Sequence, residues 1–397
     1  MSLKNRYDLV VAGGGPAGSV AARAAAEAGL SVLLCEKRAQ VGVPVRCAEM
    51  GGYEDEMARF LPIHSSFIVN RPRFCQGIAP SGKVYERPLS TRPIMVDRSK
   101  FDRALFDRAI AAGAQGETAA AVTGVEQDAE GRVRSVVIKR GTFIERVACG
   151  FLAAADGVES EVGRFAGFST GCSLENIYSC YQYRVGRFSG APDAMSFWVG
   201  NHLCPNGYIW IFARGNGTAN IGIAQIPSLR PIQPSPQFFL DRFLATHFPA
   251  SEILERMGGG IPADGGLKRF VRRNAILLGD AAHHTNPFSG GGIMNAMEDA
   301  ELFIRTLVRY AGSDRAEKLH RYESIYFRKY GFILKAQKIA RNAFYLLSDE
   351  KMEKLFSDIN SAVPAADFRY PRFLAAMFFG FLKVTPSLLR HTRKIFK

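Results

Sequence analysis

The sequence predicts an α/β fold: a Rossmann-like dinucleotide-binding domain, an antiparallel β-sheet domain and a helical C-terminal region. Three observations carry this. Residues 7–36 read as strand, glycine turn, helix and strand, ending on an acid. From about residue 172 to 264, aromatic and β-branched residues dominate, broken by Gly, Asn and Pro, as in a set of antiparallel strands. Ala275 to Leu278 is then a short apolar strand ending at Gly279-Asp280, and the glycine cluster Gly290–Gly292 opens a long helix.

In the first stretch each part has a physical task. Tyr7 to Ala12 reads as a short apolar strand with β-branched character. Gly13 allows the tight turn out of it, Gly15 lets a pyrophosphate approach the backbone, and Gly18 lets the helix pack on the sheet. The helix start offers free N–H groups and the positive end of its dipole to phosphates. Glu36 closes the second strand, where a carboxylate can accept hydrogen bonds from a ribose diol. A glycine turn alone could bind nothing, but the flanking strand, the helix and the acid select a dinucleotide. They do not choose between NAD and FAD.

A chain of 397 residues, 47% apolar and 22% charged, allows two domains and a sizeable core. The formal charge of +14 is uneven: residues 321–397 hold 15 Lys+Arg against 6 Asp+Glu. That imbalance points to an anionic partner, whether membrane surface, nucleic acid or acidic ligand; a membrane surface and no nucleic acid is the expectation. The seven cysteines have neither CxxC spacing nor metal-like clustering, which fits a reducing compartment and no metal. The longest apolar run near the end, residues 373–382, is too short to span a bilayer. The expectation is a cytoplasmic protein that touches the inner face of a membrane without crossing it.

Between these landmarks, residues 44–49 read as loop, and 66–69, 74–78 and 83–85 as short strands. Asp97 or Ser99 caps a helix whose Phe101, Leu105, Ala109 and Ile110 recur at helical spacing. Residues 119–127 and 133–139 form a hairpin. Residues 143–147 add a strand, and 151–155 enter the Asp156-Gly157 turn. Strands follow at 177–185, 194–199, 207–212 and 218–226, then a helix at 237–248 and another at 293–310. In residues 332–347, the apolar positions 332, 336, 339, 340, 343, 344 and 347 share one helix face. Lys335, Lys338, Arg341 and Asn342 are expected on a solvated opposite face.

Gly279-Asp280 places a carboxylate at the carboxyl end of a buried strand, where ligands sit in open α/β sheets. Together, Gly13–Gly18, Glu36, Asp156-Gly157, Gly279-Asp280, Pro287 and Gly290–Gly292 resemble the FAD-dependent group of aromatic hydroxylases, flavin halogenases and geranylgeranyl reductases. Within it, Pro44-Val45-Arg46-Cys47, Ala154 to Ser160, and Tyr208-Ile209-Trp210-Ile211-Phe212 with Asn220 and Gly222 resemble the geranylgeranyl reductase family over about residues 5–310. Departures are Ala48-Glu49 after the cysteine and Ala213 where a proline is usual.

The resemblance implies a hydroxylase-like two-domain flavoprotein. Its FAD domain comprises 1–70, 95–171 and 265–312, its substrate domain 71–94 and 172–264, and its helical region 313–397. It implies FAD contacts at Gly13, Gly15, Ala17, Gly18, Glu36, Arg46, Cys47, Ala48, Arg98, Val122, Asp280, Gly291, Gly292 and Ile293. It also implies a substrate wall of Tyr208, Trp210 and Phe212, which alternate onto one strand face; core packing alone would give the same pattern. Cys47 is the candidate catalytic residue, as a proton donor beside the flavin; packing in the loop is the alternative. His283 and His284 follow the Gly279-Asp280 motif and could face the ring; a neutral packing or solvent role is expected over a catalytic one.

The implied reaction is reduction of C=C bonds in a prenyl chain of a lipid or isoprenoid, with NAD(P)H or ferredoxin as reductant. A monooxygenase or halogenase of the same fold is the alternative enzyme. A non-catalytic FAD-binding module at the membrane periphery is the non-enzyme reading. Residues 368–397 carry seven basic residues and no acid around a greasy core, which suits a membrane interface or closure over an apolar pocket.

Overall fold

The computed structural model of the protein describes residues 2–89, 91–227, 234–310 and 318–362. Strand Arg6–Ala12 lies at the middle of an eight-stranded sheet. It pairs in parallel with Val32–Cys35 on one side and Phe143–Ala154 on the other. Leu9, Val10 and Val11 are fully buried, as expected of a parallel strand covered on both faces. Helix Pro16–Glu27 covers it. Ala21, Ala22 and Ala25 are completely buried, and these small side chains let helices Arg98–Ala111 and Ile293–Arg309 pack closely beside it. Gly13 has φ +112°, and a Cβ on Gly18 would collide with the Gly13 carbonyl oxygen. Both glycines are therefore demanded by the turn.

Phe143–Ala154 is one strand rather than the two short ones the sequence suggests. Its first half pairs antiparallel with Val133–Arg140 and its second half parallel with Arg6–Ala12. Gly150 sits inside it because a Cβ there would lie 2.8 Å from the Asp8 carbonyl oxygen.

The second sheet has seven strands in the order Glu252–Pro262, Ile177–Gly186, Thr218–Gln225, Gly207–Gly215, Ala194–Trp198, Phe74–Ile78 and Val84–Pro88. Strand Glu252–Pro262 is not apparent in the sequence, where charges and three successive glycines hide it. Helix Pro236–His247 covers one face, packing Phe239, Leu240 and Phe243 with Tyr183, Val185, Ile209, Ile211, Ile221 and Ile223. The alternation leaves Tyr208, Trp210 and Phe212 on the other face. Met50–Tyr53, Pro93–Val96 and Ile68–Asn70 form a small third sheet beside it.

In the C-terminal region, Arg321–Tyr326 passes through a π-helical turn, Phe327–Gly331, into Phe332–Tyr345, and Asp349–Ala362 follows. The expected polarity of residues 332–347 needs correction. Phe332 is 75% exposed and Arg341 only 1%. Arg341 donates to the carbonyl oxygens of Ala263 and Glu175, so its charge is satisfied inside the protein and the helix turns that edge inward. Phe344, Tyr345, Leu347, Met352 and Leu355 then join Trp210 and Phe212 in one apolar cluster. The basic stretch 368–397 lies outside the described residues.

Candidate active site

A cavity of about 470 Å³ lies between the two large sheets. Gly15, Pro16 and Ala17 line it from the start of the first helix, together with Ala155 and Gly157. Arg46, Cys47, Ala48 and Arg98 form a second side, and Gly279, Asp280 and Gly290–Ile293 a third. The fourth is apolar: Tyr208, Trp210 and Phe212, with Met195, Phe197 and Ile261. Stretches more than 250 residues apart in the chain thus face one space.

The donor set fits a dinucleotide that carries phosphates and ring carbonyls. Gly15 caps the first helix without a side-chain cap, and a Cβ on it would meet nothing within 4 Å. Its backbone is open to the cavity, and the N–H groups of the first turn remain for an anionic ligand. Gly292 caps the Ile293–Arg309 helix in the same way, so two helix starts address the same space. Arg98 adds a fixed cation, held bidentate by Asp102 at 2.8 Å and 2.8 Å. Burial pushes the Asp280 carboxyl upward, against the pull of Arg98.

The turn carrying Asp280 is braced from below. Fully buried Asp299 accepts from the Gly279 N–H at 2.9 Å, faces His284 Nδ1 at 2.8 Å and accepts from the Tyr322 hydroxyl. His284 stacks on Tyr326 with ring centroids 3.8 Å apart. His283 is buried between Asp264 and the Thr170 carbonyl. Both histidines are packing residues and neither lines the cavity. Cys172, Asp264 and His283 do converge, a grouping invisible in the cysteine spacing, but both ring nitrogens of His283 are already engaged.

Cys47 lines the cavity with its Sγ accepting from the Glu49 N–H at 3.2 Å. Burial pushes its thiol up, and the Arg98 guanidinium beside it draws it down; the net direction is up. On the aromatic wall, the Trp210 indole N–H donates to Gln182 at 2.9 Å, and the Tyr208 hydroxyl donates to the Ser289 carbonyl at 2.6 Å. The second bond ties the wall to the glycine segment opposite. A Cβ on Gly222 would collide with the Trp210 ring, so this strand neighbour must be glycine for the indole to lie where it does.

Of the expected site residues, Gly15, Ala17, Arg46, Cys47, Ala48, Arg98, Asp280, Gly291, Gly292, Ile293, Tyr208, Trp210 and Phe212 face the cavity. Gly13 and Gly18 shape the turn behind it. Glu36 accepts from the N–H groups of Gly14 and Arg38, each at 2.8 Å. Val122, on strand Ala120–Gln127, packs against the core of the first sheet and does not line the cavity.

Sequence reasoning missed Gln182, Glu49 and Gly258–Gly260. Gln182 stands two and four residues from Cys180 and Tyr178 on one strand face, and a polar residue in that alternation is the trace it leaves. Glu49 is fully buried. It accepts from the Arg98 backbone N–H, Asn220 Nδ2 and Arg184, and it is ion-paired with Arg214.

A family model for an FAD binding domain matches residues 6–186, and one for a geranylgeranyl reductase catalytic domain matches residues 176–261. The chain is 34% identical to digeranylgeranylglycerophospholipid reductase 1 of Methanococcoides burtonii, across 99% of this chain and 96% of that protein. It is 34% identical to digeranylgeranylglycerophospholipid reductase of Methanosarcina acetivorans, across 100% and 97%. The crystal structure of a geranylgeranyl bacteriochlorophyll reductase-like protein from Thermoplasma acidophilum superposes with a TM-score of 0.90 at 29% identity, covering 98% of this chain and 99% of that one. A flavin-dependent brominase shares the fold alone, with a TM-score of 0.70 at 18% identity over 98% and 93%. With relatives of this similarity along its whole length, the chain belongs to the geranylgeranyl reductase family, FAD-dependent oxidoreductases acting on carbon–carbon double bonds of prenyl chains.

Proposed function

We propose that the substrate is a glycerophospholipid bearing geranylgeranyl chains, and that Cys47 supplies the proton in their reduction. The observation that carries this is the cavity itself. An apolar aromatic wall stands opposite the glycine segment and the Arg98–Cys47 loop, so an alkene and a flavin edge can be held face to face.

When bound, FAD supplies the hydride that reaches one alkene carbon. Gly15, Ala17, Asp280 and Gly291–Ile293 would hold it. An isolated alkene has no carbonyl to polarise, so this chain's residues must act by placement and by exclusion of water. Tyr208, Trp210, Phe212, Phe197 and Met195 offer the chain a wall without charge. The second carbon needs a proton. Burial keeps the Cys47 thiol in its neutral form, the form that has a proton to give. Arg98, fixed by Asp102, would offer a positive charge to an anionic or carbonyl oxygen of the cofactor. Either NAD(P)H or ferredoxin is proposed as the source of electrons.

No helix among the described residues is long and apolar enough to cross a membrane. Access to the lipid is proposed to occur from the membrane surface, through the basic C-terminal stretch. Anaerobic incubation of the reduced protein with digeranylgeranylglycerophospholipid should yield lipid that has gained hydrogen at its double bonds, read by mass spectrometry. Unchanged lipid alongside reduction of another prenyl compound would overturn the glycerophospholipid assignment.

A further inference from the structure

Three successive residues of the cavity loop, Cys47, Ala48 and Glu49, are gripped from the substrate sheet by side chains. Gln182 Nε2 donates to the Cys47 carbonyl at 3.2 Å. Asn220 Nδ2 donates to the Ala48 carbonyl at 3.1 Å and to the Glu49 carboxylate at 2.8 Å. Arg184 donates to the same carboxylate at 3.0 Å. Gln182 differs from the others because its second end holds Trp210. Its Oε1 accepts from the indole N–H at 2.9 Å. The amide orientation follows from chemistry. An indole N–H only donates and a carbonyl only accepts, so the oxygen must face Trp210 and the nitrogen Cys47. Gln182 is 4% exposed and its Nε2 also faces Met257 Sδ at 3.4 Å.

We propose that Gln182 is a positioning residue, a rigid strut that fixes the spacing between the substrate wall at Trp210 and the loop at Cys47. The strut sits on a strand paired on both sides, between Thr218–Gln225 and the edge strand Glu252–Pro262. Its two bonds have opposite polarity and different partners, so no apolar residue and no carboxylate reproduces both. Reduction of an unpolarised alkene depends on placement, and a displacement of about 1 Å at the reacting groups costs on the order of 10²-fold. The proposal rests on the reductase reading for its kinetic consequence. Its structural consequence, the restraint on Cys47, stands without it.

The test uses the full-length holoenzyme with the isosteric variant Gln182→Met and the charged variant Gln182→Glu. Gln182→Met removes both bonds. Gln182→Glu keeps the acceptor for Trp210 but sets a carboxylate against the Cys47 carbonyl. Both should lower kcat for geranylgeranyl lipid by about 10-fold or more, with KM within about twofold and FAD content unchanged. In the same preparations, without lipid, iodoacetamide should modify Cys47 about tenfold faster than in wild type. Cys75 and Cys172, both half-buried elsewhere, should react at unchanged rates. Site-resolved mass spectrometry reads all three, and a general loosening would accelerate all of them.

Wild-type kcat in Gln182→Glu would overturn the strut, since only the Trp210 bond would then matter. Unchanged Cys47 alkylation in both variants, or acceleration of Cys75 and Cys172 in step with it, would also overturn it. If wild type reduces no prenyl lipid, the functional reading fails, and the alkylation comparison still decides the strut. If neither variant retains FAD, the alkylation comparison is made with wild type and variants all stripped of FAD: faster reaction of Cys47 alone in the variants supports the strut, and unchanged Cys47 rates overturn it.

Discussion

Trp210 lies flat against Gly222 because that strand neighbour has no Cβ to collide with the indole. Gly222→Ala should push the ring into the cavity, raise KM for the lipid and cost about 1–3 kcal/mol in stability, while FAD content stays at the wild-type level. Steady-state kinetics and denaturant titration read the two effects, and an unchanged KM would remove Trp210 from the proposed substrate wall. Cys47 gives a second expectation. The thiolate is the species that reacts with alkylating agents, and burial outweighs Arg98 to push this thiol upward. Alkylation of Cys47 should therefore remain slow through pH ~8.5, where an ordinary thiol is half ionised, and rise only above it. A rate that is half-maximal below that pH would show the Arg98 effect prevailing. As the proposed proton donor, Cys47→Ala should lower kcat by about 10²-fold with the flavin retained. Full activity in that variant would assign the proton to another source.

At the scale of elements, what the sequence disclosed and what it concealed have separable causes. The strand–turn–helix at 6–27 and the strand delivering Asp280 are legible because their chemistry is local. Glycines and an acid at fixed spacing say what the backbone must do. The aromatic alternation at 208–212 is legible for the same reason. Strand Glu252–Pro262 is not, because Gly258–Gly260 remove the side chains from which a strand is recognised, and pairing with Ile177–Gly186 rather than propensity holds it. The face of the Phe332–Tyr345 helix is hidden too. An arginine reads as solvated until the carbonyls of Ala263 and Glu175 are seen around it. Glu49 is the sharpest case, since an acid in a loop gives no hint of full burial among Arg184, Arg214 and Asn220. Glu49→Gln leaves the partly buried Arg214 beside a neutral group, while Arg184 keeps Glu255 at 2.7 Å, and should cost about 3 kcal/mol. Thermal or chemical denaturation measures it, and a loss well under 1 kcal/mol would show the network to be dispensable.

At the scale of the molecule, the chain leaves the first sheet and builds a second, antiparallel one. It then returns at Ala275–Leu277 to place Asp280 and Gly290–Gly292 opposite Gly15. Neither sheet forms the cavity alone. The first contributes helix starts and the glycine turns, and the second contributes an apolar wall. The C-terminal helices back that wall through Phe344, Tyr345, Met352 and Leu355. This arrangement suits a reaction that needs a flavin on one side and a water-excluded hydrocarbon on the other. The most direct measurement is an anaerobic single turnover. The bound flavin is reduced, a geranylgeranyl glycerophospholipid is added, and flavin absorbance and lipid mass are followed together. Reoxidation of the flavin in step with hydrogen gained by the lipid is the expected result. Flavin that stays reduced until oxygen is admitted, with lipid unchanged, would contradict it.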